Sequence, residues 1–198
     1  MLLFANSSDY LKYLSAFGKE PQDELSVGIF LSEGYAHMAV VEQEIWRMES
    51  TLAYVLTNYI LCDSAFPSWL RMGLALHFSE LYDQGEKMTE IQRAEALARE
   101  RREFWVRRSL QGFWSGDDFA DPAARERCED LALSLTRVVL DASTSVEALL
   151  DAVHWKDAGF VAVRANTGRE LVEFASSLLG EGEWGFEPSV GWGDEAAG

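Results

Sequence analysis

The stretch Glu49–Phe78, ESTLAYVLTNYILCDSAFPSWLRMGLALHF, decides how the rest of the chain is read. It contains two helical patterns joined by a short break. From about Glu44 to Leu61, apolar residues at Ile45, Met48, Leu52, Leu56 and Tyr59 recur at the spacing that lines one face of a helix. Asp63 to Ser68 forms the turn, in which Pro67 pre-sets the backbone for a new helix start. Trp69, Leu70, Leu74, Ala75 and Phe78 then repeat at helical spacing, and the paired helices form the expected centre of the fold.

The second of these helices opens PSWLRMGLA, with Pro67, Trp69, Leu70, Gly73 and Ala75 in a pattern that resembles the gluzincin zinc metallopeptidases, a peptidase-MA-like family. In that family a helix bearing H-E-x-x-H is followed by one opening P-x-W-L-x-E-G-x-A, which supplies the third zinc ligand. The resemblance places the first histidine at Ser50, the glutamate at Thr51, the second histidine at Tyr54 and the third-ligand glutamate at Met72. None of the four is retained.

Ligand chemistry gives the loss its meaning. A catalytic zinc takes three protein ligands from His, Cys, Asp or Glu and keeps one position open for water. Ser50 and Thr51 offer neutral hydroxyls, Tyr54 a phenol with a reference pKa of ~10, and Met72 a soft thioether that suits zinc poorly. With Thr51 in the glutamate's place there is also no base to activate water. The resemblance therefore implies a degenerate member, a pseudo-peptidase without catalytic or metal residues and without a cofactor. Tyr54 and Met72 are expected to be buried near each other, filling the vacated space, since Met fits irregular gaps.

The chain of 198 residues is long enough for one sizeable core, and 48% hydrophobic with 25% charged residues is an ordinary globular balance. Its net charge of −16 is not ordinary. That sign disfavours nucleic acid and anionic membrane as partners and leaves room for an unidentified protein or peptide, while also serving solubility. Cys62 and Cys128, without a CxxC, read as reduced thiols. The start MLLFANSSDY lacks the basic region of a secretory signal, and no apolar run approaches the ~18 residues of a membrane span. A cytoplasmic location follows as the expectation.

Around the helix pair the pattern predicts an α+β, predominantly helical protein: a single gluzincin-like domain over residues 1–185, ending in an irregular acidic tail at 186–198. Residues 3–42 form a small sheet with one helix, 44–82 the core helix pair, and 86–180 a C-terminal helical bundle. Leu2 to Ala5 reads as a strand, and Ser7 or Ser8 caps a helix that Gly18 stops. VGIFL and YAHMAV flank Ser32-Glu33-Gly34 as a hairpin. Strand, helix, hairpin and helix pair follow one another as in peptidase-MA-type domains, where the sheet edge borders the substrate cleft. That likeness leaves room for strand addition by a peptide.

Residues 80 to 111 read as a solvated charged helix, with Glu95 and Arg99 as an i,i+4 pair and Ile91, Ala94, Ala98 and Trp105 as its apolar stripe. SLQGFWSGDDF reads as an aromatic turn between Gly112 and Gly116. Asp121-Pro122 reads as the start of a helix that Leu131, Leu135 and Val138 continue to about Leu140. Thr144 with Glu147, and Thr167 with Glu170, have capping-box spacing, placing helix starts near Ser145 and Gly168. HWKDAGFVAVR supplies a short helix between them, and Gly180 ends the last one. LQGFWSGDDF, EDLALSLTRVV, KDAGFVAV and LLGEGEW also resemble bacterial peptidase-MA-like proteins, so that the likeness spans roughly residues 3 to 185.

His37, His77 and Glu80 are what remains for a residual cleft, and Glu42, Glu44 and Glu49 are the other carboxylates nearby. His77 and Glu80, at i,i+3, share a helical face, yet a histidine satisfied within its surroundings is the plainer reading of each imidazole. Trp184 is expected to anchor the Gly-rich tail to the body, as is Trp192. Three functions are thus compatible with the residues. The first is a non-catalytic binding or regulatory pseudo-peptidase. The second is a metal-dependent hydrolase with a displaced site. The third is an acidic, immunity- or antitoxin-like binder of a basic protein.

Overall fold

The computed structural model describes residues 1–18, 28–32, 34–42, 45–82, 104–105 and 110–187, the side chains at 45 and 46 excepted. The protein is α+β and predominantly helical, with a small N-terminal three-stranded sheet. Its contacts divide into two compact units, Met1–Cys62 with Phe78–Lys87, and Asp63–His77 with Met88–Gly198.

In the first unit, β1 (Leu2–Phe4), α1 (Ser7–Ser15), β2 (Gly28–Leu31) and β3 (His37–Val41) lead to α2 (Ile45–Leu61). The sheet order is β1-β3-β2, with β1 parallel to β3 and β2 antiparallel to it. Leu2 pairs with Ala39, and Leu31 with His37. Side chains alternate across the central strand. Ala39 and Val41 join Tyr10 and Leu14 of α1 and Leu31 of β2 in one buried cluster, with Phe4, Tyr13, Phe17 and Ile29 packed against it. Val40 faces the other way: a Cβ built on Gly28 would lie 3.4 Å from its Cγ2 and 2.9 Å from the Cγ2 of Thr51 in α2. Phe30, on that same side, stacks on Tyr59 at 3.5 Å between ring centroids.

Two sequence expectations shift here. The cap of α1 is Asn6, whose extended backbone (φ −156°, ψ 158°) lets its side chain accept from the Asp9 amide at 2.9 Å, so Ser7 and Ser8 lie inside the helix. On α2 the inward line runs through Thr51 and the buried Val55. Leu56 and Tyr59, expected on the buried face, are 39% and 40% exposed.

The second unit contains the first ten residues of α3 (Ser68–Tyr82), followed by α4 (Gln111–Ser115), α5 (Arg125–Ala142), α6 (Val146–Ala152), α7 (Phe160–Thr167) and α8 (Leu171–Leu179). Single 3-10 turns at Asp117–Phe119 and Trp155–Asp157 join them. From Leu110 on, LQGFWSGDDF is therefore a short helix and a 3-10 turn rather than a simple turn, with Gly116 at φ +94° between them. α5 begins at Arg125, because Asp121 spends its carboxylate on the Ala123 amide in the preceding turn. Ser145, not Thr144, caps α6, while Thr144 is held by Asn166. Thr167 bonds back to the Val163 carbonyl inside α7, so the last helix starts at Leu171 rather than near Gly168.

Of the charged stretch 80–111, residues 83–103 and 106–109, which include Glu95, Arg99, Ile91, Ala94 and Ala98, lie outside the described residues, as does the tail from 188 with Trp192. Trp105 is buried, its ring edge-on to Phe113 at 5.9 Å. Among the described residues no helix is long and apolar enough to cross a membrane.

Candidate functional site

Ser50, Thr51, Tyr54 and Met72, which the resemblance would set at the ligand and base positions, sit in α2 and α3. Ser50 and Ser79 share a hydrogen bond of 2.7 Å between their hydroxyls. Thr51 sets its methyl group over Gly28 of the sheet, where a glycine leaves room for the helix to approach. Tyr54, with its backbone carbonyl accepting from Asn58 Nδ2 at 3.2 Å, is half-buried, and so is Met72. The expectation that both would be buried is thus corrected. The buried residue beside Tyr54 is Val55, and those beside Met72 are Leu70, Gly73 and Leu74. Hydroxyls, a phenol and a thioether are poor donors for zinc.

The remainder of the PSWLRMGLA pattern is spent on packing in the second unit. Pro67 accepts from the amides of Leu70 and Arg71 at the helix start. Trp69 is fully buried and donates from Nε1 to the Ala158 carbonyl at 2.8 Å, while its ring meets Trp114 edge-on at 6.4 Å. Ala158 and Gly159 form a left-handed corner, φ 51° and 84°, that presents that carbonyl. Gly73 lets α3 approach α5: a Cβ there would lie 1.9 Å from Thr136 Oγ1 and 2.5 Å from the Ala132 carbonyl oxygen. Ser68 similarly lies against Gly116, where a Cβ would fall 2.4 Å from its hydroxyl.

His37 sits on β3 in the first unit with both ring nitrogens engaged. The Tyr35 carbonyl can only accept, so Nδ1 carries the hydrogen and Nε2 accepts from the Tyr13 hydroxyl at 2.7 Å. Phe17 and Tyr35 rings pack around it. His77 belongs to the second unit and Glu80 to the first. Burial, then the positive charge of Arg137, hold the His77 pKa below the ordinary histidine value, with Asp141 opposing them. Glu42 and Glu49 are exposed, and Glu44 lies outside the described residues. Among the described residues no three His, Cys, Asp or Glu side chains converge as a metal site would require. Neither Cys62, which is exposed, nor Cys128, which is buried, is in a disulfide.

The partners of these groups carried no sequence signal. Ser79 lies 29 residues from Ser50 and Tyr13 lies 24 from His37, and neither pair is part of a motif. No protein-family model, curated protein or solved structure matches this chain significantly.

Proposed function

We propose that the protein is a non-catalytic relative of the gluzincin metallopeptidases that acts by binding a protein or peptide partner. The observation that carries this reading is the chemistry at positions 50, 51, 54 and 72. All three ligands and the base are replaced together, leaving no partial site to rescue, while Trp69, Leu70, Gly73 and Ala75 of the accompanying pattern are buried packing residues. The Ser50–Ser79 bond supports it further, since the hydroxyl at the first ligand position is already committed within the protein. A net charge of −16 favours a basic partner surface, and location in the cytoplasm is part of the same proposal.

Metal analysis tests the reading. Protein purified without chelator is expected to contain less than about a tenth of an equivalent of zinc, and added zinc to leave its melting temperature unchanged. Near-stoichiometric metal in the wild type would overturn the non-catalytic reading.

A further inference from the structure

After α8 the chain turns at Gly180, whose backbone (φ 85°, ψ −172°) is open essentially to glycine alone. Gly182 sits so close to the Trp184 ring that a Cβ would fall 2.3 Å from it. Residues 183–187 then run without helix or strand, alternating outward and inward: Glu183 and Glu187 are exposed, Trp184 is 4% exposed, and Phe186 lies against Phe160 at 5.8 Å. Such alternation is what an extended chain gives when one side faces a surface.

The seat reads that chain through its backbone. Gln111 of α4 donates from Nε2 to the Gly185 carbonyl at 2.7 Å and accepts at Oε1 from the Glu187 amide at 3.0 Å. One side-chain amide thereby pairs with the carbonyl of one residue and the N–H two residues on, as a neighbouring strand would. Trp114 donates from Nε1 to the Trp184 carbonyl at 3.0 Å, and Trp184 Nε1 bonds back to Gly180 at 2.7 Å. Trp114 and Phe160, edge-on at 5.3 Å, supply aromatic wall.

We propose that residues 183–187 are a strap that leaves this seat as a unit while the helices stay folded. The vacated seat of Gln111, Trp114 and Phe160 then binds an extended peptide with aromatic residues at alternate positions. The strap is the form of that ligand present in the chain itself, hinged at Gly180. Main-chain recognition by Gln111, with two aromatic anchors, is the logic of strand-type peptide capture. This inference does not depend on how positions 50 to 72 are read.

The first probe is a synthetic peptide of residues 180–187, GEGEWGFE, titrated at about 0.15 M salt so that like charges are screened. Against full-length Trp184→Ala, whose strap has lost its anchor, the peptide is expected to bind. Gln111→Ala in that background should weaken it roughly tenfold or more, and wild-type protein should bind far less because its seat is filled. A folded Trp184→Ala protein that ignores the peptide, or binding indifferent to Gln111, would overturn the proposal. Should Trp184→Ala not fold, hydrogen exchange on the wild type decides. The Glu187 amide is expected to exchange about 100-fold or more faster than the amides of Leu135 and Val139 in α5, by local opening. Exchange of Glu187 only through the same global opening as α5 would mean that the strap cannot leave alone.

Discussion

His77 shows how one residue's surroundings set a pH response. The half-buried imidazole is held neutral chiefly by loss of solvent and next by Arg137, a guanidinium that stays charged although burial lowers its own pKa. Asp141 pulls the other way for both groups without outweighing burial. In the unfolded chain the ring returns to about 6.5, so between that value and the lower folded one the unfolded state binds more protons. Stability is therefore unaffected by this group above about pH 6.5 and is lost progressively as pH falls below it. Wild-type protein is expected to lose melting temperature more steeply than His77→Gln between about pH 7 and pH 5, the two curves running parallel above that range. Parallel curves throughout would mean that His77 does not feel this burial. Asp9, held below the usual carboxylate range by Asn6 and then Lys12, responds only at lower pH and does not blur the comparison.

Among the elements, the fit of α2 on the sheet is fixed by a glycine in another strand. Thr51 and Val55 approach Gly28, where an added Cβ would sit 2.9 Å from one Cγ2 and 3.2 Å from the other. Gly28→Ala is expected to cost about 1–3 kcal/mol in urea unfolding, and Thr51→Ser in that background to recover part of it by removing the closer methyl. A cost that Thr51→Ser leaves unchanged would place the strain elsewhere. The same contact explains why the sequence located α2 correctly but set part of its face one position off, with Leu56 exposed while Tyr59 still meets Phe30. Leu52, Ala53, Val55, Leu56, Ile60 and Leu61 cover much of the circumference, so periodicity alone supports two neighbouring stripes, and the residue that selects one is 23 positions upstream. Helix ends were legible to within a few residues for a similar reason. Thr144 and Ser145 can both cap, and it is Asn166 in α7 that takes Thr144 away. The strands of the hairpin, the Pro67 start and the Gly180 stop were legible because each depends on local backbone preference. Gln111 was not, since its partners lie more than 70 residues away.

At the scale of the whole molecule, charge makes two demands of opposite sign. Thirty-three acidic against 17 basic residues leave −16 on a 22.2 kDa chain, and folding concentrates that charge into a smaller volume. Self-repulsion then works against the folded state, and salt relieves it as the Debye length shrinks from ~30 Å at 0.01 M to ~10 Å at 0.1 M. The melting temperature is expected to rise by a few degrees between about 0.01 and 0.15 M sodium chloride, a gain of about 1 kcal/mol. An uncharged osmolyte of equal osmolality should not reproduce that rise. Attraction to the proposed basic partner would be screened over the same range, so its association would weaken where the fold becomes firmer. Following both against salt separates the roles of the acidic surface. A melting temperature that does not move would show that the carboxylates lie too far apart to repel appreciably. Association that also ignored salt would remove charge as the basis of partner choice and leave the backbone-reading seat at Gln111 as the stronger basis for recognition.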